Sequence, residues 1–542
     1  MALSYAHGAS AMPLLGETVG ENLRRTVARF GDREALVVRW QGRRATYRQL
    51  WDATTVAARA LMALGVEVGD RVGIWAPNRF EWVVAQYAAA RAGAILVNIN
   101  PAYKTQELAF VLRQSGTRVL LLAKSFRQSD YVAMLHEVRA SCPSVHHAVV
   151  FEDGWDAFLA GAAAVPEAAL HAREASLQFD DAINIQYTSG TTGFPKGATL
   201  SHHNVLNNGY FVGEGIRLTE HDRVCIPVPF YHCFGMVMGN LGCTTHGAAM
   251  IIPGEAFDPL LVLETVAEER CTALYGVPTM FIGELDHPRR KELDLSSLRT
   301  GIMAGSPCPI EVMKEVVASM HMREVTICYG MTETAPVSTQ SATDDPLDKR
   351  VSTVGRVGPH VEVKIVDPET GAVVPRGTSG ELCTRGYSVM LGYWDAPEAT
   401  RAAIDAAGWM HTGDLAVIDA EGYCNVVGRV KDMIIRGGEN ISPREIEEFL
   451  FGHAAVLDVA VVGVPDARYG EAVCACIRLR DGARCSEEDI RAFCRERIAH
   501  YKVPRYVRFV ESFPLTISGK VQKFLLREQL RAELNLAEEP HA

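Results

Sequence analysis

From Arg71 the chain reads RVGIWAP, then FEWVVAQYAAARAG, then AILVNINP: a short apolar run, a segment of helical periodicity and another apolar run. That order predicts a β-α-β unit with a right-handed crossover. RVLLLA at Arg118 and HAVVF at His147 continue the alternation, and a second series follows in RVCIPVPF, GAAMIIP, RTGIMAG and VTICYG. Two layered α/β subdomains are expected. With 542 residues, 48% of them hydrophobic, the chain exceeds the size at which a single core stops growing, so more than one domain is required.

The texture changes after Val354. VEVKIVD, a Pro-Glu-Thr-Gly turn and SGELCTRG, then DLAVID, an Ala-Glu-Gly turn and YCNVVGR read as hairpins of an antiparallel β subdomain. A further segment begins near Lys431. There ISPREIEEFL sets Ser442 as helix N-cap, Pro443 at the first helical position and Glu445 three residues after the cap, which predicts a capping box. VLDVAVVGVP, EAVCACIRL, a helix from Glu487, VPRYVRFV and a helix after Lys520 complete a small α+β unit. The expected fold class is thus α/β: a large N-terminal domain, residues 1–430, and a small C-terminal domain, residues 431–542. AGAAAVPEAALHAREA, near residue 160, reads as an alanine-rich exposed connector.

A net charge of -11 argues against nucleic acid or an acidic membrane as partner. The thirteen cysteines include no Cys-x-x-Cys pair, which speaks against a disulfide or metal framework. WVVAQYAAARAGAILV is interrupted by Arg91 and glycine well short of the roughly 18 apolar residues of a membrane span, so no transmembrane anchor is expected. The first residues carry neither a basic region before an apolar core nor an arginine-rich amphipathic stretch, and a cytoplasmic location is expected.

YTSGTTGFPKGATLSHHN, from Tyr187 to Asn204, has the hydroxyls, glycines and lysine of a phosphate-holding loop without being a Walker loop. Counting from Gly190, Pro195 stands where the second Walker glycine belongs, and Gly197 follows Lys196 in place of a hydroxyl. A triphosphate can still be wrapped by hydroxyls and backbone N–H groups, with Lys196 as a point charge. TSGTTGFPKG resembles the phosphate loop of the adenylate-forming enzymes, the superfamily of acyl-CoA synthetases, nonribosomal-peptide adenylation domains and beetle luciferases. VPFYHCFG, MAGSPCP, YGMTE, GWMHTGDLAVID, GRVKDMIIRGGENISPREIE and PLTISGKVQK follow in that superfamily's order, so the resemblance covers nearly the whole chain.

The resemblance implies a role for each matching residue. Thr188, Ser189, Gly190, Thr191, Thr192, Gly193 and Lys196 would hold the phosphates of ATP. In YGMTE, Tyr329 would stack on adenine beside Gly330 and Met331, Thr332 would bind the α-phosphate and Glu333 would hold Mg2+. Gly305, Ser306 and Pro307 would line the adenine from another side, while Asp414 and Arg429 would take the ribose. Lys520 would bridge the acyl carboxylate and the α-phosphate, making it catalytic with Thr332, Glu333 and His232. A hinge at Lys431 would let a mobile C-terminal domain turn, bringing Gly437 and Gly438 to the pantetheine tunnel. Tyr501, Lys502 and Arg505 would meet the CoA nucleotide, and His232, Met236, Tyr275 and Met303 would wall the acyl pocket.

The implied reaction joins a carboxylic acid to ATP as acyl-AMP and then to CoA, with ATP, Mg2+ and CoA required and small molecules as partners. ELCTRGYSVMLGYW, KDMIIRGGENI, ACIRL and PLTISGK resemble the medium-chain fatty acyl-CoA ligases of the acyl-CoA synthetase family member 2 type. Short, branched and sulfur-containing acids stay open at this stage, as does a luciferase-like oxygenase. A homodimer is assumed for the assembly.

Overall fold

A computed structural model of the protein describes residues 2–188, 195–429, 432–436, 439–466, 468–495, 497–516, 519–534 and 536. The apolar runs form strands in the predicted places. Arg71–Trp75, Ile95–Asn98, Val119–Leu122, His147–Val150 and Ala182–Thr188 lie parallel in a sheet that Lys196–Ser201 and Gly392–Tyr393 extend in antiparallel fashion. A nine-stranded second sheet has a parallel centre of Glu34–Val38, Ala249–Ile252, Arg223–Cys225, Ala273–Gly276, Thr300–Ala304 and Glu324–Gly330.

Both faces of the second sheet are covered, which is why its strands are apolar at successive positions instead of alternate ones. Tyr275, Ile302 and Ala304 belong to the large core shared with the first sheet. Leu274, Met303 and Ile327 belong to a second core, shared with Val361, Val363, Leu382 and Ala416. Those last residues come from an antiparallel five-stranded sheet of Val361–Val366, Gly380–Gly386, Met410–Ile418 and Cys424–Arg429, edged by Tyr5–His7. The C-terminal unit alternates likewise. Val459 and Val461 face the helix Pro443–Phe451, whereas Ala460, Val462 and Val464 pack with Leu526 and Leu530 of the helix Lys523–Glu533.

The structure adds detail at two places that the sequence left plain. The alanine-rich stretch is exposed over most of its length, as expected, but its second half lies in the helix Glu167–Ser176, where Leu170 is fully buried. Arg91, which interrupts the apolar stretch, is buried all the same. It ends the helix Phe80–Ala92, every residue of which is buried, and is itself 0% exposed. Its guanidinium lies over the Trp51 ring at 3.5 Å, donates to Thr54 and Thr55 at 2.9 and 2.7 Å, and meets Glu174 at 2.5 Å. Burial pulls the Arg91 pKa down while Glu174 pulls it back, so the helix 167–176 is held by a charge that needs it.

Removing the acid strands a buried cation, whereas removing the cation leaves a carboxylate that can turn toward water. Glu174→Ala should therefore cost about 3 kcal/mol, and Arg91→Met should cost clearly less. Urea denaturation of both variants checks the order.

Candidate active site

Parallel strands in an open sheet present their carboxyl ends to one crevice, and ligands bind there. In this protein the ends of strands from both sheets supply the predicted residues. Thr188 ends Ala182–Thr188, Tyr275 lies in Ala273–Gly276, Gly305 follows Thr300–Ala304, and Tyr329 and Gly330 end Glu324–Gly330. Thr332 and Glu333 sit in the single turn after that last strand.

Glu333 is the most enclosed of the predicted carboxylates, at 5% exposure. Its Oε1 accepts the Tyr393 hydroxyl at 2.9 Å and the Thr188 hydroxyl at 3.4 Å. Tyr393 was not foreseen as a site residue, although it stands within the quoted LGYW. Pairing of Gly392–Tyr393 with Lys196–Ser201 delivers it, and Lys196 places its ammonium 5.2 Å from the Tyr393 ring centre. Burial and then Glu333 raise the Tyr393 pKa, so the phenol stays a donor.

Asp414, 7% exposed, accepts Tyr329 Oη at 2.7 Å and Arg429 Nε at 2.9 Å. Strand register puts Asp414 opposite Arg429, so the pair predicted from two separate motifs is a cross-strand pair. The turn before Asp414 is braced by Glu381, which accepts the Gly413 N–H at 3.1 Å and meets His411 Nδ1 at 2.9 Å. Cys383 Sγ lies 3.5 Å from the same nitrogen. Among the described residues, Glu381, Cys383 and His411 are the group of ligand types close enough to hold a metal. Their own hydrogen bonds account for the arrangement.

Lys520 arrives from the C-terminal unit. Its turn is closed by Thr516, which donates its N–H to the Lys520 carbonyl at 2.8 Å and takes the Lys520 N–H on its hydroxyl at 3.0 Å. The turn docks on the N-terminal part through Thr279, whose hydroxyl donates to the Gly519 carbonyl at 3.0 Å. Gly519 has φ +80°, and a Cβ there would come within 2.7 Å of Thr279 Oγ1. Gly305 has φ +93°, and a Cβ there would lie 3.6 Å from Lys520 Cε, so the lysine stem runs past a backbone with no side chain. Burial, then the charge of Arg429, push the Lys520 pKa down, against Asp414 and Glu333. His232 is pushed to about 3 by burial and then by Lys520, and is a neutral imidazole.

The geometry thus gathers Thr188, Lys196, His232, Gly305, Tyr329, Glu333, Asp414, Arg429 and Lys520 from distant parts of the sequence. Met236 and Tyr275 share the large core, with Tyr275 fully buried. Met303 does not join them. It pairs in register with Gly276, one residue on from Tyr275, so its side chain points to the opposite face of the sheet, into the second core. The predicted CoA contacts on the C-terminal unit are engaged locally: Lys502 with Glu445, Arg505 with Asp466, and the Tyr501 carbonyl with Arg436. Ser189, Gly190, Thr191, Thr192, Gly193, Lys431, Gly437 and Gly438 lie outside the described residues.

Comparison with known proteins identifies the family. A family model of the AMP-binding enzymes matches residues 23–394, and one of the AMP-binding enzyme C-terminal domain matches residues 445–520. The Bacillus subtilis protein YngI, named an acyl-CoA synthetase, is 49% identical across 97% of this chain and 99% of its own length. The mitochondrial medium-chain acyl-CoA ligases of Danio rerio and Homo sapiens are 45% and 42% identical, across 98% of this chain and 91% of each relative. Among solved structures, an anthranilate CoA ligase in complex with anthranoyl-AMP superposes with a TM-score of 0.87 at 29% identity, covering 97% of this chain and 99% of that one. ATP-bound MatB from Rhodopseudomonas palustris gives 0.83 at 31%, covering 94% and 99%.

Acid should act on the fold through a buried histidine at the far end of the strand Lys196–Ser201 from the crevice. His202, 1% exposed, accepts the Val19 N–H at 3.1 Å and has its pKa lowered by burial to about 3. The unfolded chain takes up that proton below about pH 6.5, so the stabilisation is whole above that pH and is lost as pH falls toward 3. At pH 4.5 the loss should be about 2–3 kcal/mol relative to pH 7. His202→Asn, which can accept the same N–H without titrating, should flatten that part of the stability profile measured by urea unfolding.

Proposed function

This chain belongs to the AMP-binding enzyme family and is an AMP-forming acyl-CoA ligase; from that premise we propose that its acid is a medium-chain fatty acid, activated with Mg2+ and ATP in the crevice at Glu333 and Lys520. The observation that carries the site assignment is the docking of the Lys520 turn. A cation from the far end of the sequence stands half-buried beside Gly305, within the electrostatic reach of Glu333, Asp414, Arg429 and His232.

The first step joins two anions. The acid's carboxylate attacks the α-phosphorus and pyrophosphate leaves, so catalysis is chiefly positioning and charge neutralisation, with no protein nucleophile. Lys520 would offset the charge gathering on the phosphoryl oxygens and the incoming carboxylate. Thr188, Lys196 and Thr332 would hold the phosphates, and Asp414 with Arg429 the ribose, with Tyr329 against the base. His232, being neutral, can border the carboxylate without adding a second fixed cation.

Glu333 fits a metal ligand. Oε1 is oriented by Tyr393 and Thr188, and among the described residues no donor reaches Oε2. Mg2+ held there would supply neutralisation of the phosphate charge. In the second step the CoA thiol attacks the acyl-AMP carbonyl, AMP departs, and a thiol near pKa 8.5 needs little assistance at neutral pH. Lys520 has no part in that step. We therefore assign the C-terminal unit two working orientations, with the boundary at residue 430 and the pivot at Lys431.

Medium chain length is supported by the relatives that bear that name. No described helix is long and apolar enough to cross a membrane, and the cysteines are unpaired, which supports a reducing compartment such as the proposed cytoplasm.

Incubation with ATP, Mg2+ and a ladder of saturated fatty acids, with and without CoA, should yield thioester only when CoA is present, with the rate peaking at medium chain length. Acyl-AMP accumulating regardless of CoA counts against the ligase, and a peak elsewhere on the ladder counts against the chain length. Lys520→Ala should slow acyl-AMP formation at least a hundredfold while leaving thioester formation from supplied acyl-AMP within a few-fold of wild type. Equal loss in both steps refutes the division of labour.

A further inference from the structure

Ser442, Pro443 and Glu445 stand in the order of an N-cap, a first helical residue and a capping partner. The helix Pro443–Phe451 forms as that order predicts, yet the Ser442 hydroxyl makes no bond to it. It donates instead to the backbone carbonyl of Val427, in the N-terminal part, and Glu445 takes the Lys502 ammonium. Elsewhere in the chain the same signature behaves normally: Ser201 caps the helix His202–Gly215, with Asn204 returning the bond.

The acceptor explains the difference. Where Met410–Ile418 pairs with Cys424–Arg429, Leu415 faces Gly428 and Ala416 faces Val426. Val427 is the extra residue of a β-bulge on the outermost strand, and such a residue has no opposite number for its backbone groups. Two neighbours on the same helix reach across with Ser442. Arg444 donates to the Val426 carbonyl, and Glu448 accepts the Ile310 N–H at 3.4 Å, at the start of the helix Ile310–Ser319. All three contacts belong to the orientation in which the Lys520 turn is docked on Thr279.

We propose that Ser442 is a positioning residue that exchanges partners as the C-terminal unit turns: it donates to the Val427 bulge carbonyl while acyl-AMP forms, and accepts from its own helix's first turn once the unit has turned for thioester formation. The exchange rests on the two-orientation reading above. A hydroxyl suits it because the same atom can donate or accept. In either orientation Ser442 satisfies one backbone group that would otherwise be left to water, a carbonyl in one case and an N–H in the other. For this hydroxyl, the bond lost from one orientation is replaced in the other.

Aspartate separates the two roles, being a good N-cap that cannot donate to a carbonyl. Ser442→Asp should lower ATP–pyrophosphate exchange about tenfold, while thioester formation from supplied acyl-AMP stays at or above the wild-type rate. Ser442→Thr should restore exchange. Ser442→Gly, which keeps a cap-compatible backbone and loses the hydroxyl, should move exchange in the same direction by about threefold and serves if the aspartate variant does not fold. A capping role alone predicts unchanged exchange and a raised Tm in Ser442→Asp, and that result overturns the proposal, as do equal losses in both half-reactions. The wild-type control with CoA keeps the two readings apart: thioester from wild type alongside undiminished exchange in the variant condemns the switch and spares the ligase.

Discussion

The meeting of a carboxylate with a triphosphate is a meeting of like charges, and the architecture around the crevice answers that one difficulty. A cation has to be present, enclosed enough that water does not screen it. Lys520, which we propose for that place, has its pKa lowered by burial and by Arg429, and Asp414 and Glu333 compensate in part. The docking of its turn by Thr279 and the missing side chain at Gly305 are the local conditions that let an ammonium reach so far in.

The N-terminal part brings the groups proposed to hold the nucleotide to the same crevice. Two mainly parallel sheets share a core, and the ends of their strands carry Thr188, Tyr275, Gly305, Tyr329 and Gly330 to one crevice. The antiparallel sheet adds Asp414 and Arg429 as a cross-strand pair whose turn is braced by Glu381. Tyr393 links this scaffold to Glu333 from a strand of two residues. Strands and turns hold the groups proposed to bind the nucleotide, and Lys520, proposed to serve only the first step, comes from the C-terminal unit.

The strands and the order of the motifs were legible because burial on both sheet faces writes uninterrupted apolar runs, and because the site residues are polar and glycine-rich where packing alone would not require it. Partner choice was not legible. The capping signature at Ser442 was read correctly as a helix start and wrongly as a closed capping box, since nothing local announces that a bulge carbonyl will lie beside the hydroxyl. Arg91 read as a break in an apolar stretch because Glu174, its partner, lies more than eighty residues away in a segment taken for a connector. Met303 was grouped with Tyr275 although strand register sets them on opposite faces.

Read alone, the amino-acid order specifies where elements start and stop, which chemical groups are available to hold a nucleotide, and the family to which the chain belongs. Those follow from local periodicity and from motifs whose residues are contiguous. Which faces meet, which ions pair and which of two bonds a hydroxyl makes depend on distances between residues far apart in the chain. Such distances exist only once the sheets have packed, and for Lys520 and Ser442 only once the C-terminal unit has docked on the rest.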